Sequence, residues 1–407
     1  MLDELARVSK QRSPPWDLST IIAPIPAATF TEEYWERRHL HVSRRDAEYF
    51  TSLFTMEDAD YVLAHSSVDP SSIRVVRDGD EVPLSRMVEG AVNRRHVALE
   101  ALYDEYRAGA TIVLTFLHER WRPFRELCRS LSSEFSAAFQ VNVYITPAGQ
   151  RGLQKHYDTH DVFVLQVAGS KRWRIYETLT PLPLEGTPFL RGQVLSTDEV
   201  VDELVVKAGD TLYVPRGCMH QAESVTTMSI HMTVGVHTVT FPLLLFGALE
   251  DVIKADPELR RSLPIGFLRD TNAQASAREQ LVRSLGIAWS RLDPERILAK
   301  AESIALCATQ PALDGHLLDL EHAEKIDLST LVCRRAGVVC RVDSNEGLAV
   351  AFHGKVVTLP AHTEPQIRFV MRNERLCARD LPGPLDEAGK LTLVRRLVRE
   401  GLLTFIR

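Results

Sequence analysis

The stretch His156-Tyr157-Asp158, answered by His220 at the end of Ala208-Gly-Asp-Thr-Leu-Tyr-Val-Pro-Arg-Gly-Cys-Met-His220, decides how this chain is read. Side chains at i and i+2 of a strand project to one face, so a strand here would set His156 beside Asp158. A second histidine from a distant strand completes two imidazoles and one carboxylate, the donor set that holds Fe(II) and leaves neighbouring coordination positions open. The run before His220 reads as a turn, a short apolar strand and a Pro-Arg-Gly turn, which puts the histidine at the mouth of a barrel strand.

The surroundings of these residues have the texture of a barrel or sandwich. From Phe139 to about Thr240, short strand-like runs alternate with the turn signals Pro147-Ala-Gly149, Ala168-Gly-Ser170 and Ala208-Gly-Asp210. In Val141-Asn-Val-Tyr-Ile-Thr146 the valines and the isoleucine point one way and Asn142, Tyr144 and Thr146 the other. In Met228 to Val236, Ser229, His231 and Thr233 share a face opposite Met228, Ile230, Met232 and Val234. Polar faces on two strands beside the metal-type motif suit the wall of a hydrated cavity, and equally suit a solvent-facing sheet. In Lys171-Arg-Trp-Arg-Ile-Tyr176, Lys171 falls on the apolar face of Trp173 and Ile175. An ammonium on a core face needs an anionic partner. A dicarboxylate cosubstrate would supply one, as would an internal Asp or Glu.

Composition bounds the rest. The 407 residues, 45% of them hydrophobic, can bury a large core and suggest two or three domains. A formal charge of -6 gives no whole-chain attraction to nucleic acid or anionic membranes. Six cysteines, Cys128, Cys218, Cys307, Cys333, Cys340 and Cys377, form no C-x-x-C pair, which argues against a zinc ribbon and a secreted disulfide framework. Met1 to Asp17 lacks a hydrophobic signal core, and the apolar run Phe241 to Leu249 is too short to span a bilayer. A cytoplasmic protein with no membrane association is expected.

Outside the barrel block, residues 1 to about 138 read as a mostly helical scaffold. Thr31-Glu-Glu-Tyr-Trp-Glu36 opens a helix, and Arg95 to Arg107 and Pro123 to Phe139 continue the pattern. Glu33, Tyr34, Trp35, Arg37 and Arg38 fit a solvated helix packed on a sheet better than a functional patch. From 241 to about 320, Leu243 to Lys254, Ser276 to Leu285 and Pro294 to Leu306 form a helical bundle whose apolar stripe would be either a dimerisation surface or an ordinary core. From 321 to 407, Gly347 to Phe352, Lys355 to Leu359, Gln366 to Arg372, Asp386 to Glu400 and Leu403 to Ile406 resemble a winged helix. Its Arg395, Arg396 and Arg399 sit where a helix C-terminus favours solvated cations, so DNA contact is not expected.

The segments Asn142-Val-Tyr-Ile-Thr-Pro147, His156-Tyr-Asp-Thr-His-Asp-Val-Phe-Val-Leu-Gln166, Gly169-Ser-Lys-Arg-Trp173 and Tyr213-Val-Pro-Arg-Gly-Cys-Met-His-Gln-Ala222 resemble the JmjC-type, cupin-like 2-oxoglutarate oxygenases of the ribosomal oxygenase family, which includes arginyl and histidyl hydroxylases of ribosomal proteins. The likeness is dense over 139–235, and Phe30-x-x-x-Tyr-Trp-Glu-Arg-Arg-His-Leu40 looks like the family's entry helix. The resemblance implies an α+β protein: a double-stranded β-helix (jelly roll) with N-terminal helices, then a helical dimerisation domain and a winged-helix domain. The expected boundaries are 1–240, with the barrel core at 139–240, then 241–320 and 321–407.

The same resemblance implies His156, Asp158 and His220 on Fe(II), Lys171 on the distal carboxylate of 2-oxoglutarate, and Asn142 and Ser229 near the cosubstrate. Molecular oxygen is the co-reactant, a protein or peptide side chain the substrate, and a homodimer the expected assembly. Thr159-His160-Asp161 and Gly235-Val-His-Thr-Val239 depart from the family pattern where a substrate would be gripped. His160 is either a neighbour of the metal site or structural, and Asp161, Glu177 and Glu223 are either attractors of a basic substrate or plain surface charge. Two other readings use the same residues: a hydroxylase of a small molecule or natural-product peptide, and a ligand-responsive DNA-binding regulator without turnover. A demethylase outcome finds no methyl-lysine cage in this sequence.

Overall fold

The computed structural model describes residues 16–65, 69–90, 96–178, 180–187, 199–308, 313–344 and 347–406. Expectations for the first fifteen residues and for Arg95 therefore lie outside the described residues. The chain divides into two compact units, Met1–His237 and Thr238–Arg407.

Among the described residues the first unit holds thirteen strands: β1 (Leu40–Val42), β2 (Ile73–Arg77), β3 (Asp80–Glu81), β4 (Val88–Glu89), β5 (His96–Val97), β6 (Thr111–Leu114), β7 (Ala138–Thr146), β8 (Asp161–Ala168), β9 (Ser170–Tyr176), β10 (Val200–Lys207), β11 (Thr211–Val214), β12 (His220–Ser224) and β13 (Ser229–His237). An eight-stranded sheet runs β1-β11-β8-β13-β7-β6-β2-β3, and a three-stranded sheet runs β10-β9-β12. Both are antiparallel; the short turn Asp78-Gly79 joins the paired strands β2 and β3, whereas Ala208-Gly-Asp210 carries the chain from β10 of one sheet to β11 of the other.

Burial explains the layering. On β7, Val141, Val143 and Ile145 join Phe163, Leu165 and Val167 of β8 in a large core shared with the N-terminal helices. On the other face of β8, Val162 and Val164 meet Trp173 and Ile175 of β9, Val206 of β10, and Leu212 and Val214 of β11. With both faces covered, β8 reads as a continuous apolar run, Val-Phe-Val-Leu, rather than an alternating one. The helix Arg122–Phe135 packs on this core with Phe124, Leu127, Cys128 and Leu131, the spacing of a single helical face.

Three expected helices move. The chain breaks at Ser136, whose φ of 52° ends the helix, so Phe139 belongs to β7 and not to a helix. Thr31 lies near the end of the helix Ala27–Glu33, not at its start. Pro26 immediately before Ala27 supplies the start, since proline tolerates the helix N-terminus, and the left-handed Glu36 prevents continuation. The helix expected from Arg95 begins at Leu99.

In the second unit the helices Phe241–Ala255, Thr271–Arg291 and Pro294–Ala308 occupy the expected segments. Strands Leu348–Phe352 and Lys355–Leu359 pair as a hairpin, and the helices Glu364–Arg372 and Glu387–Arg399 follow. Their core runs from Ala323 to Leu403 and includes Phe352, Ile367, Val394 and Leu397. Arg395 donates to the Ile326 carbonyl and Arg399 pairs with Glu324, so these cations are engaged at home. Among the described residues no helix is long and apolar enough to cross a membrane.

Candidate metal centre and cosubstrate cavity

His156 and Asp158 are not on a regular strand, contrary to the expectation from their spacing. They lie between β7 and β8, and His156 forms an isolated antiparallel bridge with His220, the first residue of β12. The His156 amide donates to the His220 carbonyl at 3.1 Å, and the His220 amide donates to the His156 carbonyl at 2.8 Å. Asp158 is tied down by its own carbonyl, which accepts from the Gly217 amide at 2.9 Å. Backbone pairing with the partner strand thus does what strand periodicity was expected to do.

Each histidine is oriented by one ring nitrogen. His156 Nδ1 lies 2.7 Å from the Gln154 carbonyl and His220 Nδ1 lies 2.9 Å from the Cys218 carbonyl. A carbonyl only accepts, so each Nδ1 carries the proton and each Nε2 presents a lone pair. His156 Nε2 is 3.9 Å from one oxygen of Asp158 and His220 Nε2 is 3.7 Å from the other. All three donor atoms fall within 4.8 Å of one another. Burial, with His156 close by, pushes the His220 imidazole down to about 4, which keeps it neutral. Burial acts to raise the Asp158 carboxyl, but His156, His220, His160 and Arg74 together hold it below the usual range. Two imidazoles and one carboxylate converging on a point are a divalent-cation site by donor chemistry.

These residues sit in the wall of a cavity of about 560 Å³, measured with its open mouth. Lys171 lines the same cavity, 1% exposed, on the inward face of β9 with Trp173. No ion pair engages it among the described residues, and burial pushes its ammonium down to about 7. The polar faces read on two strands point here in half of their residues: Tyr144 of β7 and His231 and Thr233 of β13 line the cavity, whereas Asn142, Thr146 and Ser229 do not. Tyr144 and His231 stand opposite each other in register and their rings stack, 4.7 Å apart and 8° from parallel. Burial, then the charge of Lys171, holds the His231 imidazole well below its ordinary value, and its Nδ1 has no hydrogen-bond partner among the described residues.

Other expected site residues are placed elsewhere. Asn142 accepts a hydrogen bond from the Phe116 amide at 3.0 Å, and Ser229 accepts one from Gln166 Nε2 at 2.7 Å; neither is among the cavity-lining residues. His160 stacks on His237 at 4.8 Å, against Gly235, where a Cβ would come within 2.9 Å of the imidazole. Asp161 is fully buried, which corrects both readings of it as surface charge or substrate attractor. It accepts from the Tyr213 hydroxyl at 2.7 Å and from Arg216 at 2.8 Å. Glu223 is occupied by Arg172 and Arg174, and Glu177 is exposed. Sequence reasoning missed Gly152 and Leu153, which also line the cavity and carry no chemical signal in the sequence.

A two-sheet barrel with this donor set and a buried lysine in one cavity defines a cupin-like oxygenase fold. Residues 115–243 match the JmjC domain family. The chain is 32% identical over 317 residues to "Ribosomal oxygenase 2" of Mus musculus, covering 70% of this chain and 65% of that protein. It is 27% identical over 448 residues to "Bifunctional lysine-specific demethylase and histidyl-hydroxylase NO66" of Drosophila persimilis, covering 95% of this chain and 62% of that protein. The chain thus spans somewhat under two thirds of the length of these curated relatives. Among solved structures, E. coli YcfD superimposes with a TM-score of 0.54 at 16% identity, covering 94% of this chain and 98% of that one. A structure of the same ribosomal oxygenase in complex with cobalt and 2-oxoglutarate gives 0.50 at 16% identity, covering 94% and 99%; at such identities the likeness is one of fold. The chain thus carries a JmjC domain and is similar over most of its length to JmjC-type ribosomal oxygenases.

Proposed function

We propose that this chain is an Fe(II)- and 2-oxoglutarate-dependent oxygenase that hydroxylates an amino-acid side chain of a protein, with ribosomal proteins as the substrate class. The observation that carries the reading is one cavity holding both the convergent donors of His156, Asp158 and His220 and the buried Lys171, which has no ion-pair partner among the described residues. The donors fit the metal: both Nε2 lone pairs are free because each Nδ1 is spent on a carbonyl, and one carboxylate balances part of a divalent charge. Iron held there would supply oxygen activation coupled to oxidative decarboxylation of the cosubstrate.

The protein's own part is binding, orientation and exclusion of water. Lys171 would take the distal carboxylate of 2-oxoglutarate in a charge-assisted hydrogen bond, which supplies the anion its burial calls for. Tyr144, Trp173 and His231 wall the cavity with aromatic surface, so the lysine is reached through the cavity and not from bulk solvent. No side chain need act as acid or base for the hydroxylation itself.

The helices Phe241–Ala255 and Thr271–Arg291 are proposed to pair with a second copy of the chain. Leu281, Leu285 and Trp289 recur every four residues on one helix face and are exposed, Trp289 by 80%. Residues from about 321 onward are proposed as a separate winged-helix-like domain, supported by a core to which the helices of 241–308 contribute no buried side chain. A cytoplasmic location is proposed with it, because a ribosomal protein substrate is met where ribosomes work.

The test is twofold. Succinate formation from 2-oxoglutarate should depend on added iron and vanish in His156→Ala. In host cells, a ribosomal protein should carry the mass of one added oxygen that is lost on deletion of the gene. Absence of 2-oxoglutarate turnover by iron-reconstituted protein supplied with ribosomal proteins would refute the assignment.

A further inference from the structure

We propose that Arg216 is a positioning residue for the metal centre, acting through the turn Pro215–Cys218 and held in place by two carboxylates, Asp161 of the barrel and Glu36 of the N-terminal segment. The inference rests on the metal reading given above and adds to it the group that sets the spacing between two of the donors.

The turn touches both Asp158 and His220. Its Gly217 amide donates to the Asp158 carbonyl at 2.9 Å, and its Cys218 carbonyl accepts from His220 Nδ1 at 2.9 Å. It is closed on itself by the Cys218 amide donating to the Pro215 carbonyl at 3.1 Å. A displacement of this turn therefore moves the backbone under Asp158 and rotates the imidazole of His220 together. Gly217 has a φ of 82°, and a Cβ there would lie 2.1 Å from the Thr180 carbonyl oxygen and 2.7 Å from Pro183, so the turn has little room to relax.

Arg216 supplies the anchor. Its guanidinium lies 2.8 Å from Asp161 and 2.6 Å from Glu36, with the arginine side chain 9% exposed and that of Asp161 fully buried. Asp161 also accepts from Tyr213, whose oxygen accepts in turn from the Glu36 amide at 2.9 Å. The four residues form a closed loop of hydrogen bonds joining the N-terminal segment, the start of β8, the end of β11 and the ligand-bearing turn. Glu36 has a φ of 57°, a left-handed backbone that a non-glycine residue holds only where its surroundings fix it. Arginine suits the post because one guanidinium nitrogen, Nη1, meets both carboxylates while the group stays charged when buried.

Partners that orient metal ligands typically set metal affinity by about 10–100-fold. Co(II) is titrated into metal-free protein, reading both the dissociation constant and the visible absorption of the bound ion. The set comprises wild type, Arg216→Met, Arg216→Lys, Glu36→Gln and His220→Ala, with thermal unfolding of each metal-free protein alongside. Arg216→Met should weaken Co(II) binding about 10-fold or more and alter the absorption band, Arg216→Lys should restore part of the affinity, and Glu36→Gln should cost a few-fold. Should Arg216→Met fail to fold, the two milder variants carry the comparison.

Equal Co(II) affinity and an unchanged band in folded Arg216 and Glu36 variants, with only the unfolding temperature lowered, would overturn the positioning role while leaving the metal centre intact. A wild type that binds no Co(II), or binds it as well as His220→Ala does, would overturn both the metal reading and this inference.

Discussion

The backbones of His156 and His220 are bonded to each other in both directions, amide to carbonyl, at 3.1 and 2.8 Å. The distance between the two imidazoles is therefore a property of paired main chain, and removing either ring leaves that pairing in place. His156→Ala and His220→Ala should each fold, with metal-free stability changed by no more than roughly 1–2 kcal/mol. Each should lose Co(II) binding by at least about 100-fold, the loss of a direct ligand exceeding that of an orienting partner. Calorimetric titration with Co(II) and thermal melts of the same samples check both halves.

Lys171 makes the cavity sensitive to pH. Burial lowers its pKa from 10.5 to about 7, so the folded protein binds fewer protons than the unfolded chain between those values. Stability without cosubstrate should accordingly rise with pH across that window, and the cost of the buried cation is largest below about 7. Lys171→Met should abolish this slope and stabilise the metal-free protein by on the order of 1–3 kcal/mol at mildly acidic pH. The same variant should raise the KM for 2-oxoglutarate at least about 10-fold, as expected for losing a buried charged partner. In the wild type, kcat/KM for 2-oxoglutarate should fall as the lysine loses its proton above about 7.

Asp210 is the acid-sensitive support of the barrel. Fully buried, it accepts from the amides of Arg44 at 2.6 Å and Lys207 at 2.9 Å and pairs with His41 at 3.3 Å. Burial works to raise its pKa, but the hydrogen bonds from His41, Arg44 and Lys207 prevail and lower it. Its contribution is thus present above the ordinary carboxyl range and lost as pH falls through the depressed folded value. Asp210→Asn should cost about 1–3 kcal/mol at neutral pH and much less in acid. Urea unfolding at both pH values reads the difference, and an equal cost at the two would contradict the assignment.

The helix face carrying Leu281, Leu285 and Trp289 should hold two chains together. Trp289→Glu, which places a charge where a large aromatic surface would be covered, should halve the mass seen by light scattering. It should leave the barrel's Co(II) affinity alone. A wild type that is monomeric at micromolar concentration refutes the pairing.

How much of this was legible in the sequence depended on whether the information was local. Lys171 declared itself through its alternation with Trp173 and Ile175, and the cavity wall through the faces of Tyr144, His231 and Thr233. Period two is a property of neighbouring residues, so a sequence can carry it. The bridge between His156 and His220 joins residues far apart in the chain, and periodicity assigned His156 to a strand that the structure does not form. Asp161 failed for the same reason. A carboxylate next to a polar run reads as surface until Tyr213 and Arg216 are brought to it from more than fifty positions away. Ser229 matched by position yet spends its hydroxyl on Gln166, a contact made across the sheet.

The segment matching the JmjC domain begins at residue 115, whereas Glu36 reaches Arg216 and Trp35 stacks on Tyr213 at 5.8 Å from well upstream. A fragment trimmed to the matched boundaries would leave Arg216 with one carboxylate instead of two and strip an aromatic cover from the barrel. The folded barrel unit of this protein is therefore longer at its front than domain matching suggests, and expression boundaries should be drawn ahead of Trp16, which packs against the barrel's core.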